Sequence, residues 1–269
     1  MSIHPTALLD RSAQVDPTAE VGPYAVIGPD VVIGAHTQIG PHAVIHRFTT
    51  MGERCRVHAH ACLGDAPQDM AFKDTPSYVR IGHDVVLREG VTVHRGTKEG
   101  TTTEVGDHCY LMANSHVGHN SILGHHVILA NGVLLGGYVE VGDRAFISGN
   151  CAIHQFVRVG RLAMVGGVAA MSVDVPPFCV TRTGSLNTLA GLNTIGLRRN
   201  GISAEDRLAL RAVFHRVFRS DRNRREVVAE LRQAHPSPLV LEFLDFIAAS
   251  KRGVCRPRRG SQSAATDGD

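Results

Sequence analysis

The chain has 269 residues, 43% of them hydrophobic, enough to bury one large core and a smaller second one. Aromatic residues make up only 5%, Trp is missing and Gly is frequent at 28, so small aliphatic side chains must fill the interior. No stretch nears the roughly 20 apolar residues that cross a bilayer, which argues against a membrane-spanning helix. The start, MSIHPTALLD, lacks the basic and apolar regions of a signal peptide. The six cysteines, with no CxxC pair among them, read as reduced thiols, and the expected compartment is the cytoplasm. Net charge is +3 but uneven: residues 198–259 hold 15 Lys/Arg against 7 Asp/Glu, the remainder 13 against 18.

From Ile3 onward an aliphatic residue recurs at every sixth position: Ile3, Leu9, Val15, Val21, Ile27, Ile33 and onward to Met171. Of the 29 such positions 26 are Ile, Leu, Val or Met, and the exceptions are Asp69, Thr75 and Glu99. Gly often follows the aliphatic residue, as at Gly22, Gly28, Gly34 and Gly40, and a small or β-branched residue sits four places after it. Neither a helical nor a strand period fits. Each hexad supplies one large and one small inward residue and a corner that glycine eases. Three hexads then close a triangular coil of 18 residues, and coils stack as parallel strands about 4.8 Å apart. The predicted fold is an all-β parallel β-helix over residues 1–177.

Two polar segments interrupt the period, 64–80 (GDAPQDMAFKDTPSYVR) and 96–104 (GTKEGTTTE). They are predicted to be loops ejected from the coil, the places where a solenoid carries function. The pattern stops at DVPPF, and a small α-helical C-terminal domain is expected over 178–257. Its signals are a capping pair at Ser203 and Asp206, an amphipathic stretch at 204–219, and helical stretches near 223–234 and 238–250. Residues 258–269 read as a disordered tail.

Residues 18 apart in the unbroken stretch 105–171 occupy equivalent places on successive coils. His119 therefore lies beside Gly137, and Asn120 beside Tyr138. An imidazole is a base near neutral pH, and a backbone N–H without a side chain over it stabilises an oxyanion. Attack of a hydroxyl on a thioester needs both. Many of the 16 histidines, such as His36, His42, His108 and His126, fit turn positions equally well, and so does His119 itself.

Several segments together resemble the UDP-N-acetylglucosamine O-acyltransferases, the family that opens lipid A synthesis. They are PQDM (67–70), VTVHRGT (91–97), NSHVGHN (114–120), HQF (154–156), MVGG (164–167), DVPP (174–177) and GLRRNG (196–201). The resemblance spans nearly the whole chain and implies a left-handed coil. It implies transfer of a 3-hydroxyacyl group from acyl carrier protein to the glucosamine 3-position of a UDP-sugar, without a cofactor or metal. In that resemblance His119 falls on the general base, Gly137 on the oxyanion donor and Asn120 on the residue that orients the base. Gln68, Asp69, His94, His116, His154 and Gln155 fall on the substrate cleft, and Asn193 and Arg199 on nucleotide contacts. Gly167, some 13 Å along the axis from His119 at about 4.8 Å per coil, falls on the acyl-chain ruler, with Leu186 as a second candidate. Arg211 and Arg216, in the basic segment, are expected to dock the acidic carrier. A homotrimer with sites between subunits is implied, the loop 64–80 facing a neighbour's His119. Neither nucleic acid nor membrane insertion is expected.

The chain departs from the pattern at Asn120 (usually Asp), Ala71 (Lys), Tyr138 (His) and Ile195 (Glu). Other readings share the coil: acyltransferases with another donor or a 3-amino acceptor, a zinc enzyme using His116, His119 and His125, and a catalytically degenerate scaffold.

Overall fold

The computed structural model describes residues 2–234 and 237–258. Most of the expected tail, residues 259–269, lies outside them. The chain winds as a left-handed parallel β-helix whose two-residue strands stack into three sheets of twelve, nine and eight strands. Helices gather at its C-terminal end.

In the unbroken stretch strand partners are 18 residues apart, as in His116 with Leu134 and Leu134 with Ala152. The two excursions change that spacing in whole hexads. Val79 pairs with Thr49, thirty positions back, and Val79 pairs with Thr103, twenty-four positions on. The first excursion thus sheds two hexads and the second one. Asp69, Thr75 and Glu99 are the aliphatic positions those hexads lack.

One large residue per hexad fills the axis: Ile27, Ile33, Ile45, Met51, Leu63 and Ile81 are among the largest fully buried side chains. Ala19, Ala25, Val31, Ala43 and Ala61, the small partners, are fully buried as well. The glycines after the aliphatic residue serve a different purpose from the one the spacing suggests. At Gly34, Gly106 and Gly118 a Cβ would press on the backbone of the next coil, and their φ is not positive. Left-handed φ falls two residues later in the corner, at Tyr24, Asp30, His36, His42, His108, Asn120, His126 and Tyr138. Asp, Asn and His tolerate that region better than most residues, which accounts for several of the corner histidines.

After Met171 the stacking continues irregularly, with Val180 paired to Met164 and Leu186 bridged to Ala170. Among the described residues four helices follow: α1 (Thr194–Arg199), α2 (Ala204–Arg219), α3 (Arg224–Ala234) and α4 (Pro238–Ala248). Ser203 caps α2 by accepting from Asp206 N–H at 3.0 Å. Arg161 pairs with Glu242 of α4 at 2.7 Å, tying the helices to the coil. Buried Asp174, from the DVPP segment, accepts from Arg158 N–H and guanidinium and from Ser250 Oγ. No helix among the described residues is long and apolar enough to cross a membrane.

Candidate active site

The nine-stranded face carries a groove of about 920 Å³, lined by His94, His116, His119, Gly137, His154, Gln155 and Leu186 among others. Gln68, three residues beyond the strand Cys62–Asp65, also lines it, so the chain's own Gln68 and His119 share the groove. The loop is long enough to fold back over the face from which it leaves.

His119 and Asn120 form the corner that closes the strand His116–Val117. The His119 ring lies directly against Gly137 on the next coil, and a Cβ there would collide with its Cε1 and Nε2. Tyr138 N–H donates to His119 O at 2.9 Å, which locks the two corners together. The Gly137 carbonyl accepts from Phe156 N–H, whereas its own N–H donates to no atom among the described residues. A donor left in that state beside an imidazole is what an oxyanion needs.

Asn120 Oδ1 lies 3.0 Å from His119 Nδ1. The same oxygen accepts from the Thr97 N–H at 3.0 Å and from Thr97 Oγ1 at 3.0 Å. A backbone N–H can only donate, so the amide must present its oxygen there. His119 Nδ1 must then carry the proton, and Nε2 keeps the lone pair of a base. Tyr138 OH completes the chain at 3.0 Å from Thr97 Oγ1. Asn120 N–H donates to Thr103 Oγ1 at 2.7 Å, so the second excursion holds Asn120 by its side chain through Thr97 and by its backbone through Thr103. Nothing in the hexad pattern marks Thr97, because the excursion that carries it leaves the stacked register.

His94 and His116 meet edge to face with centroids 4.8 Å apart, and Thr92 Oγ1 lies 2.7 Å from His116 Nδ1. Burial, then the neighbouring His94 and His119, pushes the His116 imidazole down to about 4. Burial lowers His94 too, against the pull of Asp65. Both stay neutral near pH 7 and act as hydrogen-bonding walls. At the groove's far end Arg252 Nη2 comes within 3.3 Å of His154 Nδ1 and its Nε donates to Ser172 O. Arg252 belongs to the basic segment, but only the chain's return to the end of the coil brings it here.

The remaining candidates lie elsewhere. Asp69 accepts from Ala71 N–H at 2.9 Å and so builds the turn of its own loop. Asn193 caps α1 by accepting from Gly196 N–H, and its amide donates to Leu162 O at 2.9 Å. Arg199 is exposed at the end of α1. Gly167 occupies the corner before the groove strand Ala170–Met171, on the opposite edge of the face from His119, and is not part of the groove wall. Arg211 is exposed, while Arg216 is paired with Glu230 at 2.6 Å. His125 lies on a different corner and accepts from Asp107 N–H at 3.1 Å, so it does not converge with His116 and His119 on a metal.

A coil of hexads with an imidazole set beside an unengaged backbone N–H is the arrangement of a hexapeptide-repeat acyltransferase. Family models agree: the bacterial transferase hexapeptide model matches residues 12–47, 30–65 and 102–137. The model for domain 2 of UDP-N-acetylglucosamine O-acyltransferase matches residues 174–255. The chain is 44% identical to the acyl-[acyl-carrier-protein]–UDP-N-acetylglucosamine O-acyltransferase of Synechocystis sp., covering 96% of this chain and 93% of the relative. It is 43% identical to the same enzyme of an Anaeromyxobacter species, over 95% of this chain and 100% of the relative. Among solved structures, the Francisella novicida UDP-N-acetylglucosamine acyltransferase superposes with TM-score 0.91 at 34% identity, covering 96% of this chain and 95% of that one. The Campylobacter jejuni enzyme does so with TM-score 0.89 at 35% identity, over 96% and 100%. The chain belongs to the acyl-[acyl-carrier-protein]–UDP-N-acetylglucosamine O-acyltransferase family.

Proposed function

We propose that the chain transfers a 3-hydroxyacyl group from acyl carrier protein to the glucosamine 3-hydroxyl of UDP-N-acetylglucosamine, the first step of lipid A synthesis. His119 Nε2 takes the hydroxyl proton, and the oxygen attacks the thioester carbonyl. The tetrahedral oxyanion takes a hydrogen bond from Gly137 N–H. As it collapses, the carrier's thiolate leaves and receives the proton back from His119. The observation that carries this reading is the Asn120 oxygen, which holds Nδ1 protonated and aims a basic Nε2 along the Gly137 corner.

Gln68, Asp69, His94, His116, His154 and Gln155 are assigned to the sugar and the reacting groups. Asn193 and Arg199 are assigned to the nucleotide, with Arg199 the stronger candidate because the Asn193 amide is already engaged. Both sit apart from the groove of their own chain, which supports a homotrimer whose sites receive residues from a neighbour. Gly167 and Leu186 are assigned to acyl length, Arg211 and Arg216 to the carrier. The division near residue 177, with coil before and helical unit after, belongs to the same reading, as does a cytoplasmic location, for which six unpaired thiols speak.

The test is direct. Purified protein with a 3-hydroxyacyl carrier protein and UDP-N-acetylglucosamine is expected to yield the 3-O-acyl sugar nucleotide by mass spectrometry. His119→Ala is expected to lose about 10²–10⁴ in turnover. No transfer from any 3-hydroxyacyl donor, or a fully active His119→Ala, overturns the reading.

A further inference from the structure

Two coils below His116 on the same face, three side chains that the acyl transfer does not use converge. His46 Nε2 lies 3.4 Å from Cys62 Sγ and 3.9 Å from Asp65 Oδ1. All three ligand atoms fall within 4.8 Å of one another, the one such group of His, Cys, Asp or Glu among the described residues. The coil explains the meeting. Cys62 begins the strand Cys62–Asp65, which stacks on Val44–Ile45, and His46 follows that strand directly. A bulge between Leu63 and Asp65 turns the carboxylate toward the same side.

The spacing is that of a coordination polyhedron. With metal–sulfur and metal–nitrogen bonds of about 2.3 Å and 2.0–2.1 Å at tetrahedral angles, sulfur and nitrogen stand roughly 3.5 Å apart. The observed 3.4 Å matches that edge, and the 3.9 Å nitrogen–oxygen separation needs only a few tenths of an ångström of closure. A cavity of about 240 Å³ lined by His46, Asp65 and Arg95 adjoins the cluster and gives room for a fourth ligand, a water. Arg47 and Arg95, the cations that border this cavity, share the single carboxylate of Asp74, so one positive charge is left for the Cys62 thiolate and the Asp65 carboxylate to balance alongside the metal.

We propose that His46, Cys62 and Asp65 bind a divalent cation of borderline softness, Zn²⁺, with water in the fourth position. One thiolate, one imidazole and one carboxylate select zinc over the oxygen-seeking Mg²⁺ and Ca²⁺. Cys62 Sγ forms the metal bond as its S–H bond breaks, and the proton leaves to solvent. A free thiol carries its proton near pH 7 and a metal-bound one does not, so one proton is released for each metal bound. The bound ion ties the root of the first excursion to the coil, three residues before Gln68.

Co²⁺ is the probe, because a thiolate ligand gives it a near-ultraviolet charge-transfer band. Full-length protein freed of metal is titrated with Co²⁺ and then with Zn²⁺ by calorimetry in buffers of different ionisation heat. The expected result is one equivalent per chain, the charge-transfer band, and about one proton released. Cys62→Ser, nearly isosteric, is expected to lose the band while keeping the wild-type circular dichroism and acyl transfer. The other five cysteines are buried and do not substitute for it. His46→Gln and Asp65→Asn are expected to weaken Zn²⁺ binding by at least about tenfold. Absence of the band, or unchanged binding in Cys62→Ser, overturns the proposal.

Discussion

Placing a methyl group on Gly137 is the sharpest perturbation of the site. Its Cβ would collide with His119 Cε1 and Nε2, and ordinary carbon–carbon contact is restored only if the ring retreats by about 1 Å or more. Retreat breaks the 3.0 Å contact between Nδ1 and Asn120 Oδ1, a bond worth about 1 kcal/mol in stability. The backbone at Gly137 has no positive φ, so alanine adds no strain, and the half-buried ring can swing into the groove. Folding therefore loses on the order of 1 kcal/mol, which moves the melting temperature by a few degrees at most. Catalysis loses far more, since misplacing a reacting group by about 1 Å costs on the order of 10²-fold. Gly137→Ala is expected to lower kcat/KM for the acyl carrier substrate about 100-fold with a nearly unchanged melting curve. A variant with wild-type kcat/KM refutes the placement of the base against this corner.

Four further outcomes follow from the same geometry. Asn120→Asp keeps a residue suited to left-handed φ, gains a carboxylate beside Nδ1, and is expected to raise turnover and move the acid limb of the pH–rate profile upward; an unchanged profile means the Thr97–Tyr138 hydroxyls already supply that polarisation. His116, ordinarily near 6.5 and lowered to about 4 by burial, contributes stability that is full above pH 6.5 and lost as pH falls toward 4, so His116→Gln is expected to flatten the fall in melting temperature across that window. Gly167→Met places its side chain where a Cβ meets nothing closer than 3.8 Å; it is expected to fold normally and shift preference to shorter acyl donors, and an unmoved optimum passes the ruler to Leu186. Affinity for acyl carrier protein is expected to weaken with salt, and Arg211→Ala to blunt that dependence more than Arg216→Ala, because Glu230 already holds Arg216; equal effects disprove the distinction.

The coil was legible because one large residue per hexad is a physical requirement of its narrow axis. The helix at 204–219 falls where Ser203 and the apolar period place it, and the next, Arg224–Ala234, begins one residue inside the expected 223–234. Short α1 was not, since six residues carry too little periodicity and its GLRRNG segment stood out only as a motif. The pairing of His119 with Gly137 followed from the 18-residue stack. Thr97 escaped notice, because an excursion returns to the coil by a path that stacking does not dictate. Arg252 escaped for a similar reason: the tail crosses back to the coil only through contacts such as Cys255 N–H to Asp174 O. The corner glycines were assigned to φ when they relieve contact between coils, two requirements that choose the same residue and leave the same trace in a sequence.

That contact between coils sets the metric of the reaction. His119 and Gly137 are neighbours because Gly118 lets its turn of backbone touch the next at Leu135 and Gly136, with Gly118 N–H bonded to Leu135 O at 2.9 Å. The backbones that carry the His119 imidazole and the Gly137 N–H are thus one lattice step of the solenoid apart, about 4.8 Å. Side chains at the corners, such as Asn120 and Tyr138, can be exchanged while this step stays fixed. A bulky residue at Gly118 would act as a spacer, lengthening the step and detuning the pair without altering either member.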